Sequence, residues 1–228
     1  MNDLPIVIEN QMYQARTGMP LDLERSAQSP PPGSPFTFVM HPDGTTGHFK
    51  RPDSKVVMIL SRNGKLIVSG VTTPQEAEAA INAMKNFVVT PLGSGLPALT
   101  WFRTTTVARF TQARRLNLST ILGFTAPGLI VRYLQNPHRV QLSKVVGRWR
   151  RASGELVNRH MFANCFRSGT VIFVGGVTDS EVARWVDAVL EMLIQGEAFD
   201  EVPSEEEQAA DLAGLVTGFD SMQIENMR

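Results

Sequence analysis

Side chains able to do chemistry are few and scattered along this 228-residue chain. The four histidines, His41, His48, His138 and His160, share no spacing that would bring them to one metal ion. The single cysteine, Cys165, excludes an internal disulfide and a thiolate cage, and reads as a small buried hydrophobe. GFTAPG (123–128) and VGG (174–176) carry glycine without the order of a phosphate loop. The expectation is therefore a chain that binds rather than catalyses, with no metal and no cofactor. Its concentrated chemistry is positive charge. Residues 97–195 hold 13 Lys and Arg against 5 Asp and Glu, residues 1–96 hold 8 and 8, and residues 196–228 hold 1 and 9. A basic block suits an anionic partner, and an acidic tail reads as a solvated extension. The run QNPHRVQLSKVVGRWRRASGELVNRH (135–160) gathers Arg139, Lys144, Arg148, Arg150, Arg151 and Arg159 around Trp149. It reads either as a phosphate-gripping hairpin, with Arg148, Arg150 and Arg151 as the contacts, or as a solvated hairpin with Trp149 packed on the body.

The elements that must carry these residues are written twice. NGKLIVSGVTTPQEAEAAINAM (63–84) and SGTVIFVGGVTDSEVARWVDAV (168–189) match at an offset of 105. Gly64 pairs with Gly169, Gly70 with Gly175, Thr73 with Thr178 and Glu76 with Glu181. Upstream, Leu21 and Leu23 match Leu116 and Leu118 at an offset of 95. Ten residues are thus inserted in the second half, where the basic run lies. Strands are expected over 6–15 and 101–110. In the first, Tyr13 and Ala15 oppose Asn10, Met12 and Gln14; in the second, Ala108 and Phe110 oppose Thr105, Val107 and Arg109. SPPPGSP (29–35) must be a loop. Further strands are expected near 36–41, 55–61 and 65–71, the last entered through an Asn-Gly turn. A helix then starts at Thr72 or Thr73 with Pro74 in its first turn and Glu76 at capping-box spacing. Its stripe Ala77, Ala80, Ile81 and Met84 corresponds to Val182, Trp185, Val186 and Val189 in the second helix. Each half then reads β-α-β-β-β-α, give or take one short strand. With 43% hydrophobic and 19% charged residues, the chain can build one large core or two small ones. No run of 18 apolar residues exists, and MNDLPIVIENQ has acids where a secretory leader has cations, so an intracellular protein is expected, neither secreted nor membrane-bound.

Taken in order, these traces resemble the core of the TATA-box-binding protein family: Asn10, Leu21-Asp22-Leu23, Phe36 to Met40 and Gly64 to Gly70, then Pro127-Gly128-Leu129-Ile130 and Phe166-Arg167-Ser168-Gly169. The doubled order over roughly residues 5–195 carries the resemblance. It implies an α+β saddle: a curved antiparallel sheet of two pseudo-symmetric halves, helices on the convex face and the concave face on the minor groove of DNA. The halves would be 1–96 and 97–195, the latter with its basic insertion at about 135–160, followed by the acidic tail 196–228. The function implied is transcription initiation on A·T-rich promoter DNA, bent by apolar wedges, a mode of kinking for which this family is a standard example. Implied contacts are Asn10, Met12, Phe36, Phe38, Leu60, Lys65, Ile67 and Ser69 in the first half. In the second they are Thr105, Val107, Arg109, Phe124, Arg132, Phe166, Thr170, Ile172 and Val174. Implied partners are double-stranded DNA, a transcription factor IIB-like protein and the RNA polymerase machinery, for a monomer on DNA in the nucleus or the transcription compartment of a virus-infected cell.

The departures are specific. Four wedge phenylalanines are implied, and only Phe36 and Phe166 stand in register. Leu60 or Ser61 occupies one position and Ala126 the other, with Phe124 either a substitute or a loop aromatic. Phe36 and Phe38 also read as ordinary strand core. The paired asparagines become Asn10 and Thr105, and the late hydroxyls become Ser69 and Val174. The second helix, basic in the family, has Lys85 alone, and the stretch before the second-half wedge is shorter, which puts a factor IIB-type contact in question. The alternative function is an interaction module binding a protein or an RNA/DNA hybrid without kinking a duplex.

Overall fold

The structure is a computed structural model that describes residues 6–30, 34–90, 93–94, 99–150 and 155–200. It contains a ten-stranded antiparallel sheet and four helices. Two compact units divide at Thr106, one comprising Ile8–Thr106 and the other carrying Val107 and the elements after it.

In the first unit, β1 (Ile6–Arg16) leads to α1 (Leu23–Ala27), then β2 (Thr37–Met40), β3 (Thr46–Lys50), β4 (Val57–Ser61) and β5 (Lys65–Val71). Helix α2 (Pro74–Phe87) and the small ribbon of β6 (Val89–Thr90) with β7 (Gly93–Ser94) follow. Strand β8 (Phe102–Thr111), divided between the units at Thr106, leads in the second to α3 (Leu118–Leu122), β9 (Leu129–Leu134), β10 (Arg139–Arg150), β11 (Leu156–Cys165), β12 (Thr170–Gly175) and α4 (Asp179–Gln195). The strand order is β2-β3-β4-β5-β1-β8-β12-β11-β10-β9. Both units therefore run strand, short helix, four strands, long helix. The unexpected strand of the first unit, β3, was not legible because Thr-Gly-His-Phe-Lys places a glycine and polar residues where a strand signal should be; at Gly47 the Phe38 ring fills the space a Cβ would take.

Local chemistry starts and stops the elements as the pattern requires. Asp22 and Asn117 cap α1 and α3, accepting from the amides of Arg25 at 3.0 Å and Thr120 at 3.1 Å. Thr73 accepts from the Glu76 amide at 3.2 Å while Glu76 Oε2 accepts from the Thr73 amide at 3.3 Å and the Thr72 amide at 2.7 Å. These bonds hold the Glu76 carboxyl below its ordinary value, the Thr72 amide contributing most. Gly64 and Gly169 turn the hairpins with φ of 84° and 88°, and a side chain at either would run into the carbonyls of Met19 or Arg114.

Register then decides which side chains are buried. Opposed residues of neighbouring strands share a face. In the first unit Ala15 lies opposite Leu66, Tyr13 opposite Val68 and Leu60 opposite Leu66. That face carries Phe49, Met58, Leu60, Leu66 and Val68, all sealed against Ala77, Ala80, Met84 and Phe87 of α2 and Leu21 and Leu23 at α1. In the second unit Val140 opposes Cys165 and Leu142 opposes Ala163, with no exposure at any of the four. Val182, Trp185, Val186 and Val189 of α4 are buried as the stripe predicts. Burial pushes the Cys165 thiol up to about 12, so it is an inert hydrophobe.

Candidate nucleic-acid interface

Among the described residues, the helices of each unit lie on the buried side of its strands, and the opposite face carries none of them. In the first unit it is set by the rows His48–Ile59–Ile67–Gln14 and Lys65–Arg16, each residue directly opposite the next. Thr37 and Val39 continue it on β2, opposite Lys50 and His48. Asn10, Met12 and Gln14 point to this side, because Gln11, Tyr13 and Ala15 point to the core. A bulge in β5 makes the geometry possible. Gly70, at φ 84°, is the extra residue between the Tyr13–Val68 and Gln11–Val71 pairs, and its amide donates to Asn10 Oδ1 at 2.7 Å. Asn10 Nδ2 donates in turn to Ser69 Oγ at 3.2 Å. Asn10 and Ser69 thus form one polar pair, 6% and 7% exposed, fixed by the backbone beneath them.

In the second unit the free face is set by Ile130–Ser143–Phe162–Val174 and Arg132–Gln141–Asn164–Ile172. Thr105, Val107 and Arg109 alternate with the buried Thr106, Ala108 and Phe110 and are partly exposed. Arg139 is 6% exposed, its Nε donating to Asn164 Oδ1 at 3.1 Å, where Gln141 Nε2 also donates at 3.2 Å. The Arg139 Nη1 also donates to the carbonyls of Asn136 and Pro137, at 3.3 and 3.2 Å.

Electrostatically the two sides of each unit differ. The free-face rows carry Arg16, Lys50, Lys65, Arg109, Arg132 and Arg139 and no carboxylate. Carboxylates sit on the helices, at Glu24, Glu76, Glu78, Asp179, Glu181, Asp187 and Glu191, in turns, at Asp43 and Asp53, and on β1 at Glu9, which alternates with Asn10 and so has the parity of Gln11 and Tyr13. Unrelieved positive charge is felt locally: burial and then Arg16 lower the Lys65 ammonium below its ordinary value, and burial, Lys50 and His41 do the same to His48.

The implied contacts divide accordingly. Asn10, Met12, Lys65, Ile67, Ser69, Thr105, Val107, Arg109, Arg132, Thr170, Ile172 and Val174 fall on the free faces. Thr170 and Ile172 are only 2% and 3% exposed, however, because β12 is a central strand whose neighbours cover it, so neither offers a contact surface. The wedge positions need correction. Leu60 is wholly buried under α2, being of the same parity as Met58. Phe38 packs on Phe49 at 4.8 Å between centroids, and Phe36 meets the Phe87 ring edge-on at 5.1 Å. Both lie on the helix side, as the strand-core reading has it. Phe124 lies over Gly196 at the end of α4, and Phe166, 5% exposed, lines a groove of about 1110 Å³ with Asn117, Ser119 and His138. Arg148 is exposed on the long β10–β11 hairpin. Arg151 lies outside the described residues, as does the tail beyond Asp200, and Trp149 and Arg150 are described in their backbone alone.

Sequence reading missed one free-face aromatic. Phe162 lies opposite Ser143 and Val174 and stacks on His160 at 5.9 Å with 15° between the planes. Strict alternation with Met161 and Ala163 was the available signal. His48 was missed because β3 was not recognised as a strand, and Ile59, in the expected strand β4, because the uniformly apolar Met58-Ile59-Leu60 gives no parity.

No family model matches the chain, and none of the curated proteins matches it. Among solved structures it is similar to the TATA-box-binding protein (TBP) of Methanococcus jannaschii, at 18% identity and a TM-score of 0.55 over 83% of this chain and 98% of that one. Ten antiparallel strands, four helices and this likeness give the chain the α+β fold of the TATA-box-binding proteins.

Proposed function

We propose that the protein is a non-catalytic, DNA-binding transcription factor whose helix-free sheet faces lie against the minor groove of A·T-rich duplex DNA. The segregation of charge carries this reading: the free-face rows hold cations and apolar or hydroxyl side chains, while the carboxylates of the described elements lie off those rows. A minor groove offers few distinguishing hydrogen-bond patterns, so apolar contact from the partly exposed Met12, Ile67 and Val107 suits it. The TBP-like fold supports the same reading. Work in the nucleus or a viral transcription compartment follows from it, as do a factor IIB-like partner and the polymerase machinery.

Bending is a separate matter. Phe36, Phe38 and Leu60 are engaged in the core, which favours contact with little kinking and keeps the interaction-module alternative in play. The test is fluorescence anisotropy with a labelled A·T-rich duplex against a scrambled G·C-rich one, with end-to-end energy transfer for the bend. Preference for the A·T-rich duplex with a small bend is expected. Equal affinity for both, or for an RNA/DNA hybrid, would overturn the minor-groove reading.

A further inference from the structure

On the helix side of the second unit, β10 carries a cation where the core pattern calls for an apolar residue. Val140 and Leu142 are sealed. Lys144, next in the same parity, is exposed, and it stands between Leu129 on β9 and Met161 on β11. Its ammonium has no hydrogen-bond or ion-pair partner among the described residues. Lys144 lines an open cleft of about 300 Å³, together with Leu129, Trp185, Ala188 and Met192.

Local chemistry builds the walls of this cleft. Trp185, Ala188 and Met192 recur at steps of three and four along α4 and so share one side of it. The other wall is the turn into β9. There the Ala126 carbonyl accepts from the Leu129 amide at 3.0 Å, Gly128 adopts a φ of 72°, and Phe124 is seated over Gly196 at the end of α4. Trp185 is 5% exposed, yet its indole Nε1 is buried with no hydrogen-bond partner. A buried donor ordinarily has an acceptor, because an unpaired one has given up its bonds to water for nothing. The carboxylate that lines the cleft, Glu191, already accepts from Gln195 Nε2 at 2.9 Å. Beside the cleft the sheet ends: β9 pairs with β10 and with no other described strand. An edge strand of this kind presents a row of unpaired amides and carbonyls.

We infer that the cleft and the β9 edge dock an extended peptide segment of a partner protein, one with an apolar residue and an acidic residue two positions apart. Residues two apart in an extended chain share a face, so backbone pairing along β9 brings both side chains to the helix side. The apolar side chain fills the cleft against Ala188 and Met192. The carboxylate accepts from the unpartnered Lys144 ammonium, and an oxygen of the segment accepts from the Trp185 indole. This contact lies on the opposite side of the strands from the helix-free face and stands whether or not that face binds DNA.

The test selects a random peptide library displayed on phage against the full chain without DNA, then measures a labelled synthetic copy of the selected peptide by fluorescence anisotropy. Peptides with an acidic residue two positions from an apolar one are expected. Ala188→Trp, at an exposed helix position, fills the cleft and should abolish binding with the melting temperature unchanged. Trp185→Phe keeps the ring and removes the donor, and should weaken binding by about three- to tenfold. Lys144→Gln should weaken it by about tenfold, as should replacing the acidic residue of the peptide by its amide. Making both changes together should cost little more than either alone, since they remove one interaction. Failure to enrich any such peptide, or a selected peptide that binds Ala188→Trp as it binds the natural chain, would overturn the inference. Should Ala188→Trp fail to fold, the paired change decides: losses that simply add would overturn it.

Discussion

Replacing Phe36 by alanine should make the protein easier to unfold while leaving its affinity for A·T-rich DNA unchanged. Phe36 stands at the entry to β2, partly buried, with its ring edge-on to Phe87 at 5.1 Å and the Arg51 guanidinium over it at 5.9 Å. Phe87 continues to Phe49 at 5.0 Å, and Phe49 to Phe38 at 4.8 Å. Truncating a fully buried phenylalanine costs about 3–5 kcal/mol. Partial burial brings this to about 2 kcal/mol, of which about 0.5–1.5 belongs to the edge-on pair with Phe87. For a chain of this size the midpoint should fall by about 4–8 °C. Urea unfolding measures the loss, and anisotropy on the same preparations, well below the transition, measures binding. A variant as stable as the natural chain to within about 0.5 kcal/mol whose affinity drops tenfold would refute the reasoning and make Phe36 an exposed wedge.

Ile67→Glu, in the middle of the row between Ile59 and Gln14, should lower affinity for A·T-rich duplex by at least about tenfold, since like charges brought together at an interface cost several kcal/mol; melting should change little, and unaltered binding would remove this face from the interface. Glu181→Gln should destabilise the natural fold by about 1–2 kcal/mol near neutral pH through loss of a charge-assisted pair. Because Arg159, foremost, holds the Glu181 carboxyl below its ordinary value, its contribution is present above the unfolded glutamate value and lost as pH falls through the folded one, so the two proteins should converge in stability as pH drops below the ordinary glutamate range; a constant gap would contradict the pairing. The Cys165 thiol, pushed up to about 12 by burial, should resist alkylation at pH 8 until the protein unfolds, and stability should decline as pH rises above the ordinary thiol range toward 12; rapid labelling of the folded chain would show the site open.

Much was legible in order and spacing. The caps at Asp22, Thr73, Asn117 and Thr178, the positive-φ glycines at 64, 70, 169 and 175 and the apolar stripes of α2 and α4 all depend on neighbours within four residues or on the backbone of one residue. Such interactions leave a pattern in the chain itself, and so the order of strand, short helix, strands and long helix in both units could be read, each unit having one strand more than the three expected between its helices. The parity of β1 and β8 was likewise readable, since side chains alternate without reference to a partner strand.

Facing was another matter. Whether Phe36 and Leu60 point to helix or to open sheet depends on which residues oppose them across the ladder, and one residue of slip turns every side chain over. Met58 and Leu60 are sealed under α2 while Ile59 between them meets Ile67 on the free face. Their sequence, Met-Ile-Leu, is uniformly apolar and holds no trace of that choice. The burial of Thr170 and Ile172, the convergence of Asn10, Ser69 and the Gly70 amide across about sixty residues, and the pairing of Arg159 with Glu181 are likewise contacts between segments remote in the chain. Composition determined that the second half is basic and local pattern determined its elements; only tertiary packing decided which of those side chains could meet a partner, because exposure is a property of neighbours brought together by folding.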